Sequence, residues 1–110
     1  MTAEQLIHRI RELAAEFAKA KSERVYLEHF RKSKLAILMK KAETLGYTTA
    51  AAQEREALSE DEYMTLLKGL AAATEIEERA RYDLEAAKLA WETWRTRKAD
   101  ERAEKKSYGA

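Results

Sequence analysis

The chain has no cysteine and no proline, and only three glycines in 110 residues. Without cysteine, disulfides, thiolate chemistry and thiolate zinc sites are excluded. Without proline, and with glycine confined to Gly46, Gly69 and Gly109, the usual helix interruptions are missing. β-Branched apolar residues are scarce too: one valine, Val25, and the isoleucines Ile7, Ile10, Ile37 and Ile76. A sheet would be hard to build from that supply. No run is apolar for the roughly 18 residues that a membrane span needs. The segment from Met1 to Glu12 carries charges where a signal peptide would place its apolar core, so a cytoplasmic protein is expected.

Alanine, leucine and charged residues dominate, a composition typical of long helices. The net charge of +1 hides a pattern. From Lys21 to Lys41 seven basic residues face two acids; from Glu54 to Glu85 ten acids face four basic residues; from Lys88 to Lys106 seven basic residues face four acids.

Apolar residues recur at three- and four-residue steps from Leu6 through Ile10, Leu13 and Phe17, and again from Leu27 to Leu45, predicting a helix over about 3–45. Lys21 and Arg24 interrupt this stripe, and Val25 and Tyr26 shift its phase. Gly46 is the expected helix stop, with Lys40 and Lys41 complementing the dipole in the last turns. Thr48 or Thr49 is placed to cap a short helix over about 50–58. Ser59 followed by Glu62 reads as a capping box opening a last helix over about 60–104. That helix carries a heptad-like stripe through Tyr63, Leu66, Leu70, Ala73, Glu77, Ala80, Leu84, Ala87, Trp91 and Trp94, and Ser107 to Ala110 are expected to be loose.

Two long helices of similar length joined by a short one predict an all-α fold of one domain: a long antiparallel helical hairpin, coiled-coil-like, with a short helix in its connector. Reflection about the connector pairs residues whose numbers add to roughly 105, an estimate from two helices stacked side by side. It sets Trp91 between Leu13 and Phe17, Leu70 near Leu35 and Leu38, and Glu77 beside Glu28, within a turn of Arg24 and Arg31. A charged group there would fix register more than it stabilises. Ile7, Val25, Tyr26, Leu35, Met39, Leu67, Ile76 and Leu89 remain off the main seam. Together with the thin shared seam they predict a homodimer forming a four-helix bundle, or a partner that supplies further helices.

No signature of catalysis is present. His8 and His29 lie far apart on one helix and neither belongs to a recognised metal-ligand motif, and there is no phosphate loop or nucleophile elbow. The chain is expected to be no enzyme and to use no cofactor, metal or small-molecule substrate. Binding is the alternative, and two surfaces stand out. Arg31, Lys32, Lys34, Lys40 and Lys41 could follow a phosphate backbone, with Tyr26, Phe30 and Tyr47 as stacking surface. A plain solvated face explains the same charges. A second basic group, Arg95, Arg97, Lys98, Arg102, Lys105 and Lys106, lies in the last helix. The acids Glu54, Glu56, Glu60, Asp61 and Glu62 form a candidate partner-binding surface. Trp91 and Trp94 continue the apolar stripe and are expected to anchor the core.

Several segments carry a family resemblance: Phe30-Arg31-Lys32-Ser33-Lys34, then 50–57 (AAAQEREA), Tyr63 with Leu67, 81–88 (RYDLEAAK), and 91–96 (WETWRT). From about Tyr26 onwards, over some two thirds of its length, the chain resembles a family of small helical proteins encoded by tailed bacteriophages and prophages. These tend to be encoded in the early region, near single-strand annealing proteins and exonucleases. The resemblance implies a phage DNA-metabolism context, and the leading expectation is a non-enzymatic accessory protein of recombination or replication that acts through protein contacts, with single-stranded DNA as a further candidate partner. It transfers no catalytic residue. Two other expectations stand beside it: an inhibitor of a host defence system working through the acidic stretch, and a purely structural dimeric spacer.

Overall fold

The computed structural model describes residues 1–109. Three helices follow in order: α1 (Ala3–Thr44), α2 (Ala50–Ser59) and α3 (Asp61–Tyr108). Among the described residues there is no strand, and no helix is long and apolar enough to cross a membrane. The chain is an all-α helical hairpin with a short helix in its connector.

Local chemistry sets the helix ends. At the start of α1, Thr2 Oγ1 accepts the Gln5 amide at 3.2 Å, while the Gln5 side chain accepts the Thr2 amide at 2.9 Å. This is a reciprocal capping box. At its end Gly46 takes φ 104°, the Tyr47 amide reaches the Ala42 carbonyl at 3.2 Å, and the Gly46 amide reaches Glu43 at 3.1 Å. Those two bonds make a Schellman stop, as expected of Gly46. Of the two threonines, Thr49 caps α2: its hydroxyl accepts the Ala52 amide at 3.1 Å.

The capping box expected at Ser59 does not form. Ser59 ends α2 and donates its hydroxyl to the Glu56 carbonyl at 2.8 Å. Glu60 alone, in extended backbone, separates α2 from α3, and its carbonyl accepts the Tyr63 and Met64 amides. Ser59 was already committed to the preceding helix. At the other end α3 continues through Ser107 and Tyr108, past the fraying point expected near Glu104. Lys105 and Lys106 complement the dipole in its last turn.

Two compact units draw on the long helices: a terminal unit of Met1–Ala18 with Glu78–Ala110, and a connector unit of Lys19–Glu77. In the connector unit Leu38, Ala57 and Tyr63 form a buried cluster, with Leu35, Met39 and Leu67 packed against it. Ala57 brings α2 onto both long helices here. The seam slips against the expected register. Lys41 reaches Glu60 and Leu38 meets Tyr63, so Leu35 and Leu38 lie with Leu67 and Tyr63 rather than with Leu70. The slip is about one turn. α1 runs past the start of α3 by that amount, which gives α2 the height to seat Ala57 on Leu38. Leu35, Met39 and Leu67, expected to be left over, are thus used in the core, while Ile7, Tyr26, Ile76 and Leu89 stay exposed.

The terminal unit buries Leu6, Leu13, Ala80 and Leu84. Leu13 shares a groove with Ala86 and Ala87, not with Trp91 as expected. Trp91 and Trp94 are half-buried and stack on each other with centroids 5.4 Å apart and planes 9° apart.

Candidate binding surfaces

The two charge sets singled out in the sequence lie in the connector unit, and the fold turns them on each other. Lys34 Nζ sits 2.7 Å from a Glu62 carboxylate oxygen, and Lys41 Nζ lies 3.7 Å from Glu60. Lys34 holds the Glu62 carboxyl below its usual range, first through the hydrogen bond and then through its charge. The Glu56 carboxylate accepts a bond from the Tyr47 hydroxyl and pushes that phenol above its usual range, because the neutral form is the donor. Glu54 and Asp61 remain exposed on the surface. Two members of the basic set and three of the acidic set are therefore occupied within the chain.

The remaining cations do not form one patch. Arg31, Lys32 and Lys40 are exposed, but each helical residue turns by about 100° from the last, so neighbours in sequence diverge around α1. Tyr26 and Phe30 stack at 6.0 Å with planes 10° apart. Arg31 and Lys32 lie about a third of a turn or more around the helix from that pair.

Deeper in the connector unit Arg24 and Glu77 form a two-pronged ion pair; Arg24 Nη2 donates to Glu77 Oε1 at 3.2 Å, and Arg24 Nη1 meets Glu28 at 2.8 Å. Glu77 is buried, at 8% exposure, and the Arg24 guanidinium is raised above its usual value first by its bond to Glu77 and then by Glu28. The expected meeting of Glu77 with the basic interruption of α1 forms through Arg24. This polar insert satisfies itself: among the described residues no buried side-chain nitrogen or oxygen lacks a partner.

The terminal unit carries two open surfaces. A shallow groove of about 340 Å³ runs between α1 and α3, lined by Leu6, Arg9 and Leu13 of α1 and by Asp83, Ala86, Ala87 and Ala90 of α3. A second surface lies on α3 alone, where Trp91, Trp94, Arg95, Lys98, Arg102 and Lys105 among others edge a shallow, open cleft. Lys98 Nζ stands 5.8 Å from the Trp94 ring centroid, a cation–π distance.

The sequence contained a signal for the Arg24–Glu77 pair. The reflection about the connector located Glu77, but it sets Lys34 level with Ala71 and Lys41 with Met64, so their pairs with Glu62 and Glu60 emerge only from the slipped register. For the groove no local signal exists, because Ala86, Ala87 and Ala90 are ordinary helix formers. His8 lies 2.6 Å from Glu12 on the same helix, and among the described residues no three His, Asp or Glu side chains gather as metal ligands. Comparison of the chain with protein-family models, with curated proteins and with solved structures finds no match.

Proposed function

We propose that this chain is a non-enzymatic helical binding protein that completes its core by pairing with a second copy through the groove of the terminal unit, and that it then docks on other proteins. One observation carries the reading: the exposed area. The chain leaves 8476 Å² accessible. A folded monomer of its mass exposes about 6200 Å². The excess, roughly 2200 Å², is more than the about 800 Å² that each partner gives to a standard interface. The groove supplies a matching surface, since leucines and alanines line it and its two helices contribute opposite charges, Arg9 and Asp83, that a two-fold mate can meet. Alanines let a second helix approach closely, and paired hairpins bury their remaining apolar faces as a four-helix bundle.

The biological context follows the resemblance: an accessory role in phage DNA recombination or replication, exerted by contact. The rival reading as an inhibitor of host defence is less favoured, because Glu56, Glu60 and Glu62 are engaged by Tyr47, Lys41 and Lys34.

Sedimentation equilibrium tests the pairing. Twice the single-chain mass of 12.7 kDa is expected at micromolar concentration. Ala90 is exposed in one chain, so Ala90→Glu should leave helicity by circular dichroism unchanged while shifting the mass to that of one chain. A single-chain mass for the unaltered protein across the micromolar range would end the proposal.

A further inference from the structure

The cleft on the last turns of α3 differs in kind from the groove. Upstream, the three-and-four rhythm of α3 places Tyr63, Leu70, Leu84 and Trp91 on the seam; beyond Trp94 it places Lys98, Glu101 and Lys105 there. A helix cannot continue an apolar zipper along that face. The charge there is positive: from Arg95 to Lys106 six basic residues stand against three acids. Glu92 pairs with Arg95 and Glu101 with Lys98, each at 3.3 Å, which leaves the charges of Arg102 and Lys105 in excess along the cleft. At one end of this row lie two parallel indoles.

We infer that this face binds single-stranded nucleic acid: the strand's phosphates run along Arg102 and Lys105, Arg95 and Lys98 exchange Glu92 and Glu101 for phosphate, and an unpaired base stacks against the Trp91–Trp94 pair as Lys98 leaves the Trp94 ring. These cations step by three and four residues along one face, a rise of about 5 Å per step, which suits consecutive phosphates of an extended strand. Aromatic surface together with a row of cations is the combination that sequence-tolerant single-strand binding uses. An acidic protein helix is the poorer occupant. It would need apolar seam positions, and past Trp94 the cleft adds only Ala99 to the indoles as apolar surface. The cleft is built from α3 alone, so the inference goes beyond self-association and does not need the second copy.

The two tryptophans are the chain's only ones, so intrinsic fluorescence reports on the site directly. A labelled oligothymidylate is titrated with the full chain at low salt, following both label anisotropy and tryptophan emission. Anisotropy should rise and indole emission fall together, and affinity should drop with salt at a log–log slope of about −0.7 per phosphate engaged. Arg102→Glu with Lys105→Glu, both at exposed positions, should weaken binding at least about tenfold. Lys32→Glu with Lys40→Glu should leave it within about twofold, since those charges lie outside the cleft. Trp94→Ala should abolish most of the quenching. Binding should persist at protein concentrations where sedimentation gives a single-chain mass, which separates this inference from the pairing: a monomeric unaltered protein that binds keeps this one and ends the other. No binding at low salt, binding unmoved by the Arg102 and Lys105 changes, or equal capture of polyglutamate would overturn it. So would equal affinity for duplex of the same length, because paired bases offer no face to the indoles.

Discussion

The terminal and connector units share the same two long helices but are held in different ways. In the connector unit the helices are tied across the seam by Arg24–Glu77, Lys34–Glu62 and Lys41–Glu60, and α2 adds a third wall to the cluster of Leu38, Ala57 and Tyr63. In the terminal unit the contact His8–Glu12 and the ion pairs Arg81–Glu78, Arg81–Glu85 and Arg95–Glu92 each stay within one helix. Its seam is two-walled, and a groove stays open beside it. Two helices bury one stripe each, whereas a third element encloses side chains on a further side. The contrast explains why the surfaces suited to partners lie in the terminal unit.

The largest test of that contrast is truncation in each core. Leu38, at 2% exposure, should lose about 3–5 kcal/mol on Leu38→Ala, because three walls cannot close on the cavity. Leu84, at 7%, should lose nearer about 2–3 kcal/mol on Leu84→Ala, since its open neighbourhood can relax. Urea unfolding monitored by circular dichroism measures both, and equal losses would remove the distinction. A smaller effect is expected from Glu77→Ala, which strips the buried partner from Arg24 while Glu28 remains. Its thermal midpoint should fall, by less than that of Leu38→Ala. Joint replacement of Arg24 and Glu77 by leucine should recover much of the loss, because an apolar pair needs no desolvation. If the double variant is the worse of the two, the ion pair stabilises more than it specifies.

The smallest effect concerns acid. Lys34 lowers the folded-state pKa of Glu62 below its unfolded value. The unfolded chain therefore binds the proton more readily, and the pair's contribution is present above the ordinary carboxylate value. It is lost as pH falls through the depressed one. Glu62 is more than half exposed, so screening keeps the contribution small. Lys34→Met should flatten the acid side of the stability–pH curve slightly relative to the unaltered protein. An identical slope would show that the pair adds nothing.

Much of this architecture was legible in the residues. The absence of proline, the three-and-four stripes and Gly46 point to a helical hairpin with a break at Gly46, and Glu77 announces its pairing with the basic interruption of α1. Other features were misread for physical reasons. Ser59 satisfies the pattern of a helix start, but α2 had already claimed it. Thr2 and Gln5 form the reciprocal box, a pattern equally visible in the sequence. The cations near the connector looked like one surface because they cluster in sequence, yet the helical turn scatters them and the acids across the seam absorb two.

The sequence by itself determined which segments are helices and which face of each is apolar, because those depend on backbone propensity and on a periodicity that repeats within a few residues. Only the tertiary structure decided the register. It depends on how far α1 overshoots α3 to seat Ala57 on Leu38, a packing compromise among three separate elements. That slip of about one turn decides which charges neutralise each other in the connector unit. In the terminal unit the packing opens a groove over Leu13 and leaves the tryptophans facing a basic cleft, outcomes that no local pattern encodes.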